Sequence, residues 1–172
     1  MKFFLLVVIG VISVLDHGFS QCNTSLNLAL GRPATASSVE NAGLAASNAF
    51  DGNLLTRWGS AFTDTEYIYV DLGSDYPLCE VYLDWEAAYG KDFTIDISTD
   101  AITWTTAATI TGNTSLTNTI AVSGTGRYVR MNGIARGTGY GYSIHEFQVY
   151  SADPNPVCPS INIALGKPAT TS

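Results

Sequence analysis

The 172-residue sequence predicts an all-β fold, an antiparallel β-sandwich or jelly roll, on three observations. Apolar residues recur with period two in many short segments, glycine occupies 16 positions, and only Leu44 to Asn48 has the pattern of a helical turn. Short, half-buried strands of this kind bury their apolar faces by stacking in two layers.

Taken in order, the chain begins with Lys2, an apolar stretch from Phe3 to Val14, and the small residue Ser20 just before Gln21 and Cys22. This is the pattern of a secretory signal peptide over residues 1–20. The apolar run is shorter than the roughly 20 residues that a membrane span needs. The expected location is therefore secreted and extracellular, or periplasmic in a bacterium.

The strand pattern follows. Ile68, Val70 and Leu72 alternate with Tyr67, Tyr69 and Asp71, and Val81, Leu83 and Trp85 alternate with Glu80, Tyr82 and Asp84. Phe93, Ile95 and Ile97, then Val129 and Met131, then Phe147 and Val149, continue it. Trp58 and Trp104 are expected in the core, and Trp85 with them as part of the apolar side of its strand.

The segment Asn27-Leu28-Ala29-Leu30-Gly31-Arg32-Pro33-Ala34-Thr35-Ala36-Ser37 returns from Asn162 to Ser172 with eight identities in eleven positions, at an offset of 135. A second copy of the domain is thus expected to begin over residues 158–172. Residues 151–157, with Pro154 and Pro156, form the linker. The complete domain spans 22–150, and further domains of the same chain are expected.

Cys22 and Cys158 occupy nearly the same place ahead of the two repeats. This predicts a Cys22–Cys79 disulfide and leaves Cys158 for a counterpart of Cys79; the alternative is a buried free Cys79. Asn23-Thr24-Ser25 and Asn113-Thr114-Ser115 are glycosylation acceptors if the source is a eukaryote. With 15 acidic and 8 basic side chains, net charge −7, the surface has no basic stripe for phosphates. Nucleic acid and anionic lipid are poor partners for it, and a neutral or cationic ligand suits it.

Several segments together carry a resemblance. They are Asn27-Leu28-Ala29 with Pro33 to Ser38, Ala49-Phe50-Asp51-Gly52-Asn53 followed by Thr56-Arg57-Trp58, and Ile68-Tyr69-Val70-Asp71-Leu72-Gly73. Ser98-Thr99-Asp100 before Trp104, Arg127-Tyr128-Val129-Arg130, and Gly141 to Phe147 complete the set. The chain resembles the coagulation factor 5/8 type C, or discoidin-like, domains, and among them the family 32 carbohydrate-binding modules. The resemblance covers residues 27–150 and implies a galactose-binding-domain-like sandwich. One departure is Ala101, where the family often has a turn glycine.

The resemblance also implies a structural calcium. Its ligands would be the Asp51 carboxylate, Thr56 through carbonyl and hydroxyl, the Glu146 carboxylate, and the main-chain carbonyls of Asn48, Asn53 and His145. Two carboxylates among six to eight oxygens suit calcium. Read from its residues alone, Asp51-Gly52-Asn53 is equally an ordinary turn.

Sugar binding needs an aromatic face for the ring and charged or amide groups for its hydroxyls. Glu40, Arg57, Phe62, Glu86, Arg136, Tyr140 and Tyr142 lie in loops that supply this mixture. The segments Ser37 to Glu40, Trp85 to Tyr89 and Tyr140 to Ser143 are similar to chitosan-binding discoidin modules of bacterial chitosanases and to modules on β-glucan-degrading enzymes. By that likeness Glu40 and Glu86 engage amino or hydroxyl groups, Arg57 positions them or the ligand, and Phe62 and Tyr142 form the aromatic wall. Arg57 alone, like Arg130, could instead simply pair with a carboxylate.

The implied function is non-catalytic binding of a poly- or oligosaccharide, of β-glucan, chitosan-like or galactose-type chemistry. A glycosidase built on Glu40 and Glu86 lacks support for a deep cleft. His145 is the only histidine beyond the signal segment and makes no convincing triad. Gly137-Thr138-Gly139-Tyr140-Gly141 has no helix after it to hold phosphate. The alternative is an adhesion module for protein or membrane, with Leu54, Leu55 and Phe62 as the only candidates for insertion.

Overall fold

A computed structural model describes residues 22–152. The signal segment 1–20, the second copy 158–172 with Cys158, and the linker beyond Ala152 lie outside the described residues. Eight strands follow one another: β1 Cys22–Asn23, β2 Ala34–Ala36, β3 Trp58–Gly59, β4 Tyr67–Trp85, β5 Gly90–Ser98, β6 Thr105–Ile110, β7 Thr117–Arg136 and β8 Ser143–Ala152. A single 3₁₀ turn, Ala46–Phe50, lies at the predicted helical segment.

All pairings are antiparallel, in the order β1-β8-β4-β7-β5-β6, with β2 added to β4 and β3 to β8. The two long strands β4 and β7 run through both layers of the sandwich. Their first and second parts are separated by irregular pairing between Asp71 and Tyr76. One layer holds β2, β5, β6, the start of β4 and the end of β7. The other holds β8, the end of β4 and the start of β7. Breaking the ladder at a bulge lets a strand bend and join two layers.

The predicted alternation is present. Ile68, Val70, Leu72, Phe93, Ile95, Val129 and Met131 from one layer meet Val81, Leu83, Trp85, Phe147 and Val149 from the other in one buried cluster. The inward phase of β4 changes from even to odd numbers at Cys79, where the register shifts against both β7 and β8. That extra residue faces the start of the chain, and Cys79 is bonded to Cys22 with Cα atoms 5.6 Å apart. The disulfide therefore forms as predicted, and the free-thiol alternative is excluded.

Two expectations need correction. Trp58 and Trp85 are buried, but Trp104 is only half-buried. It lies on the outer face of the sheet under the Arg130 guanidinium, 4.2 Å from its ring centre. Trp104 stands one residue before β6, so no strand register carries its ring inward. The Asn113 sequon is structural: Asn113 is 8% exposed, and its amide donates to Gly90 O and Ser115 O. Its oxygen accepts from Ser115 N and Asn118 Nδ2, so the folded domain leaves no free amide for a glycan.

Ala101 has φ +58, the left-handed conformation in which glycine is at ease and alanine is strained. The turn is held by Asp100, whose carboxyl is pulled down to about 2 by hydrogen bonds from the Thr103 and Ile102 amides and from Ser98. Arg130 pairs with Asp96 at 2.8 Å, as anticipated.

Candidate functional site

Four loops meet at one end of the sandwich and enclose a cleft of about 220 Å³. They are the segment after β2, the end of β3, the β4–β5 connection and the β7–β8 connection. Main-chain bonds weld them together: Glu40 N to Gly59 O at 2.8 Å, Ser60 N to Tyr142 O at 2.9 Å, Glu86 N to Ser143 O at 2.9 Å, and Gly137 N to Tyr89 O at 2.8 Å. Gly141 permits the closest approach, since a Cβ there would lie 2.4 Å from Ser60 O. The lining is therefore rigid before any ligand arrives.

Glu40, Arg57, Ser60, Glu86, Tyr140 and Ser143 line the cleft, with Ala87, Ala88, Gly141 and Tyr142. Arg57 Nη1 donates to Ser143 Oγ at 2.7 Å, and Glu86 Oε2 accepts from Ala88 N at 3.1 Å. The three ion pairs among the described residues are Arg127–Asp71, Arg130–Asp96 and Arg136–Asp64. Glu40, Glu86 and Arg57 belong to none of them, so the cleft presents two unpaired carboxylates and one unpaired guanidinium. Arg57 is thus held by a serine hydroxyl and not by the carboxylate that its sequence context allowed.

Five of the seven predicted sugar contacts reach the cleft: Glu40, Arg57, Glu86, Tyr140 and Tyr142. Tyr142 does not serve as the expected aromatic wall. Its ring is fully buried against Trp85, and its hydroxyl donates to Asp64 O at 2.8 Å. Burial pushes that hydroxyl's pKa well above the usual tyrosine value. The position follows from Gly133, where a Cβ would stand 2.3 Å from Tyr142 Cζ. The exposed aromatic pair is instead Tyr140 and Phe62, edge to face at 5.9 Å, with 67% and 48% of their surfaces exposed.

Arg136, like Phe62, is not among the lining residues. Its Nε donates to Asp64 Oδ1 at 2.8 Å and its Nη1 to Tyr140 O at 3.0 Å, so it fixes the loop that carries Tyr140. Asp64, Ser60 and Ser143 escaped sequence reasoning. Asp64 stands 72 residues before Arg136, and a lone serine carries no chemical signature. Only the fold brings these residues together.

Beside β8, the turn after the 3₁₀ segment is organised around Asp51. Its Oδ1 accepts from Asn53 N at 2.9 Å and its Oδ2 from Thr56 Oγ1 at 2.7 Å. Asn48, in the 3₁₀ turn, ties this segment to Gly43 O and Arg57 O through its side-chain amide. His145 Nδ1 sits 2.9 Å from Thr56 O. Glu146 is 1% exposed, and neither carboxylate oxygen has a hydrogen-bond partner. Burial, with the Asp51 charge adding to it, pushes its carboxyl above the ordinary range. The Gly52 and Asn53 amides partly offset this without making hydrogen bonds of proper geometry to it.

A buried, unpartnered carboxylate beside a second carboxylate and a hydroxyl fits a hard cation, because such an ion supplies the missing partner. The donor set is mixed: among the described residues no three His, Cys, Asp or Glu side chains cluster closely enough to hold a metal by themselves.

A two-layer sandwich with a polar, aromatic-rimmed cleft at its loop end has the fold of a carbohydrate-binding module. The sequence pattern of the F5/8 type C domain matches residues 33–147, and the chain belongs to that family. Chitosan-binding module 1 of a chitosanase/glucanase from Paenibacillus sp. IK-5 is 48% identical, with a TM-score of 0.71 over 73% of this chain and 99% of its own. Module 2 of the same enzyme, solved with chitotriose, is 37% identical, with a TM-score of 0.71 over 73% of this chain and 100% of its own. The family 32 module of AlyQ, in complex with 4,5-unsaturated mannuronic acid, is 29% identical, with a TM-score of 0.58 over 68% and 92%. A search of curated proteins gives no match.

Proposed function

We propose that this domain is a non-catalytic, secreted module that binds a chitosan-like polysaccharide in the loop-end cleft, and that a calcium ion beside Glu146 holds the adjoining loop. The observation that carries the reading is the pair of unpaired carboxylates, Glu40 and Glu86, in a cleft rimmed by Tyr140 and Phe62. Carboxylates attract the ammonium groups of glucosamine, and exposed rings pack on the apolar faces of sugars. Arg57 orients a hydroxyl or a carboxylate next to it. The two Paenibacillus modules support the same ligand class.

For the cation, Glu146 and Asp51 would give carboxylate oxygens, Thr56 its hydroxyl and carbonyl, and Asn48, Asn53 and His145 their carbonyls. The ion would neutralise the buried carboxylate. It takes no part in sugar chemistry.

Calorimetric titration with a glucosamine trisaccharide and with its fully N-acetylated counterpart tests the reading. The amine form is expected to bind in preference, with each of Glu40→Gln and Glu86→Gln weakening it by about tenfold or more. Equal binding of both sugars, unaffected by either change, would overturn it.

A second reading, adhesion to a membrane or protein, draws on Leu30, Leu54 and Leu55, which are 54%, 58% and 93% exposed. Capture on liposomes without any sugar binding would favour it.

A further inference from the structure

The outer face of the β2-β4-β7-β5-β6 layer carries a set of side chains that neither the cleft nor the core uses. Tyr67 and Tyr69 alternate with buried Ile68 and Val70, so their rings point away from the core. Tyr69 meets Trp104 at 5.4 Å and Tyr128 at 6.1 Å, and Tyr67 lies nearly parallel to Tyr69 at 6.3 Å. All four are half-buried: none belongs to the core, and none is fully exposed.

Two arginines brace this surface. Arg130 lies over the Trp104 ring at 4.2 Å and near Tyr67 at 5.8 Å, and Arg127 lies over Tyr128 at 5.1 Å. Each is neutralised by an aspartate: Arg130 by Asp96 and Arg127 by Asp71. The face therefore offers immobilised rings with its charges internally cancelled. Anions and cations gain little from such a surface, whereas an uncharged ring with apolar faces and peripheral hydroxyls complements it.

The rings also continue from the cleft. Phe62, which packs on Tyr140 at the rim, is followed five residues later by Tyr67, no more than about 18 Å of extended chain. From Tyr67 the order along β4 leads to Tyr69 and then to Trp104 and Tyr128, away from the loop end.

We infer that this face is a second, distal stacking track for uncharged hexopyranose units of the polysaccharide whose amine-bearing units occupy the cleft. The inference rests on the proposed function and extends it: the cleft selects charge, and the track adds affinity for chain length. Partially N-acetylated chitosan carries both kinds of unit.

Trp104 is a built-in reporter, because Trp58 and Trp85 are 0% and 2% exposed and the chain has three tryptophans. Acrylamide quenching of the wild-type domain would be measured with a trisaccharide and with a long, partially acetylated oligomer. The long oligomer should protect the fluorescence and the trisaccharide should not. In titration, the long oligomer should bind about tenfold tighter than the trisaccharide. Tyr69→Ala should remove most of that gain while leaving trisaccharide affinity unchanged.

Longer chains gain statistically from having more registers, but the variant keeps that gain, so the difference between proteins isolates the track. Intact trisaccharide binding with no protection, or with equal long-oligomer affinity in Tyr69→Ala, would overturn the track and spare the cleft. Failure of the trisaccharide to bind would remove both. Self-association of the domain abolished by Tyr69→Ala would assign the face to a second copy, against the inference.

Discussion

Replacing Glu146 by glutamine should have opposite effects with and without calcium. In the ion-free domain both carboxylate oxygens are buried without partners, and the ionised form is disfavoured. Glutamine removes that charge at nearly constant volume, so in chelator the variant should match or exceed the wild type in stability. With calcium the order reverses. An ion present at a hundredfold its dissociation constant stabilises the wild type by about 2.7 kcal/mol, and the variant, lacking an anionic ligand, forfeits most of this.

The pH dependence carries the same signature. The folded-state pKa of Glu146 lies above its ordinary value, so the folded state holds the proton more tightly than the unfolded chain. In chelator, this contribution is fully present below the ordinary value and is lost as pH rises through the elevated one. Saturating calcium inverts the trend, because the ion binds the carboxylate. Urea denaturation of both proteins in chelator and in calcium provides the four stabilities. A variant equally destabilised in both media, or a wild-type midpoint indifferent to chelator, would refute the reasoning.

Other outcomes follow from the same geometry. Gly133→Ala must displace the buried Tyr142 ring and should cost about 1–3 kcal/mol by denaturation, with weaker sugar binding as the Asp64–Arg136 support loosens; an unchanged stability would show the ring free to yield. Ala101→Gly relieves a left-handed alanine and should raise stability by about 1 kcal/mol in the same assay. Breaking the Cys22–Cys79 bridge, whose ends are 57 residues apart, should cost about 4 kcal/mol, measured on the Cys22→Ser/Cys79→Ser pair against the oxidised domain. Glycan occupancy after expression in a eukaryotic host, read by mass spectrometry of peptides, should be absent at folded Asn113, whose amide is fully engaged.

The layer architecture was legible because a strand has a side-chain period of two, so Ile68, Val70 and Leu72 or Val81, Leu83 and Trp85 declare their buried face locally. The Cys22–Cys79 pair was legible from the repeat. Of the loop-end cleft, the loops and their carboxylates were legible, but not which rings face solvent. Tyr142 and Tyr140 stand two residues apart in one glycine-rich loop, and nothing local distinguishes a core ring from a rim ring. Gly133 decides it by leaving space under one of them. Likewise, Trp104 has an apolar side chain beside a strand, and only the placement of Arg130 and Tyr69 makes it an outer-face residue.

The sequence by itself determined which face of each alternating strand is buried and which loops carry charge, because these depend on neighbours along the chain. The tertiary structure alone decided that Asp64 holds Arg136, that Arg57 meets Ser143 and that Glu146 is left without a partner. Those relations depend on residues far apart in the chain, and their energies come from through-space hydrogen bonding and desolvation, which no local pattern encodes.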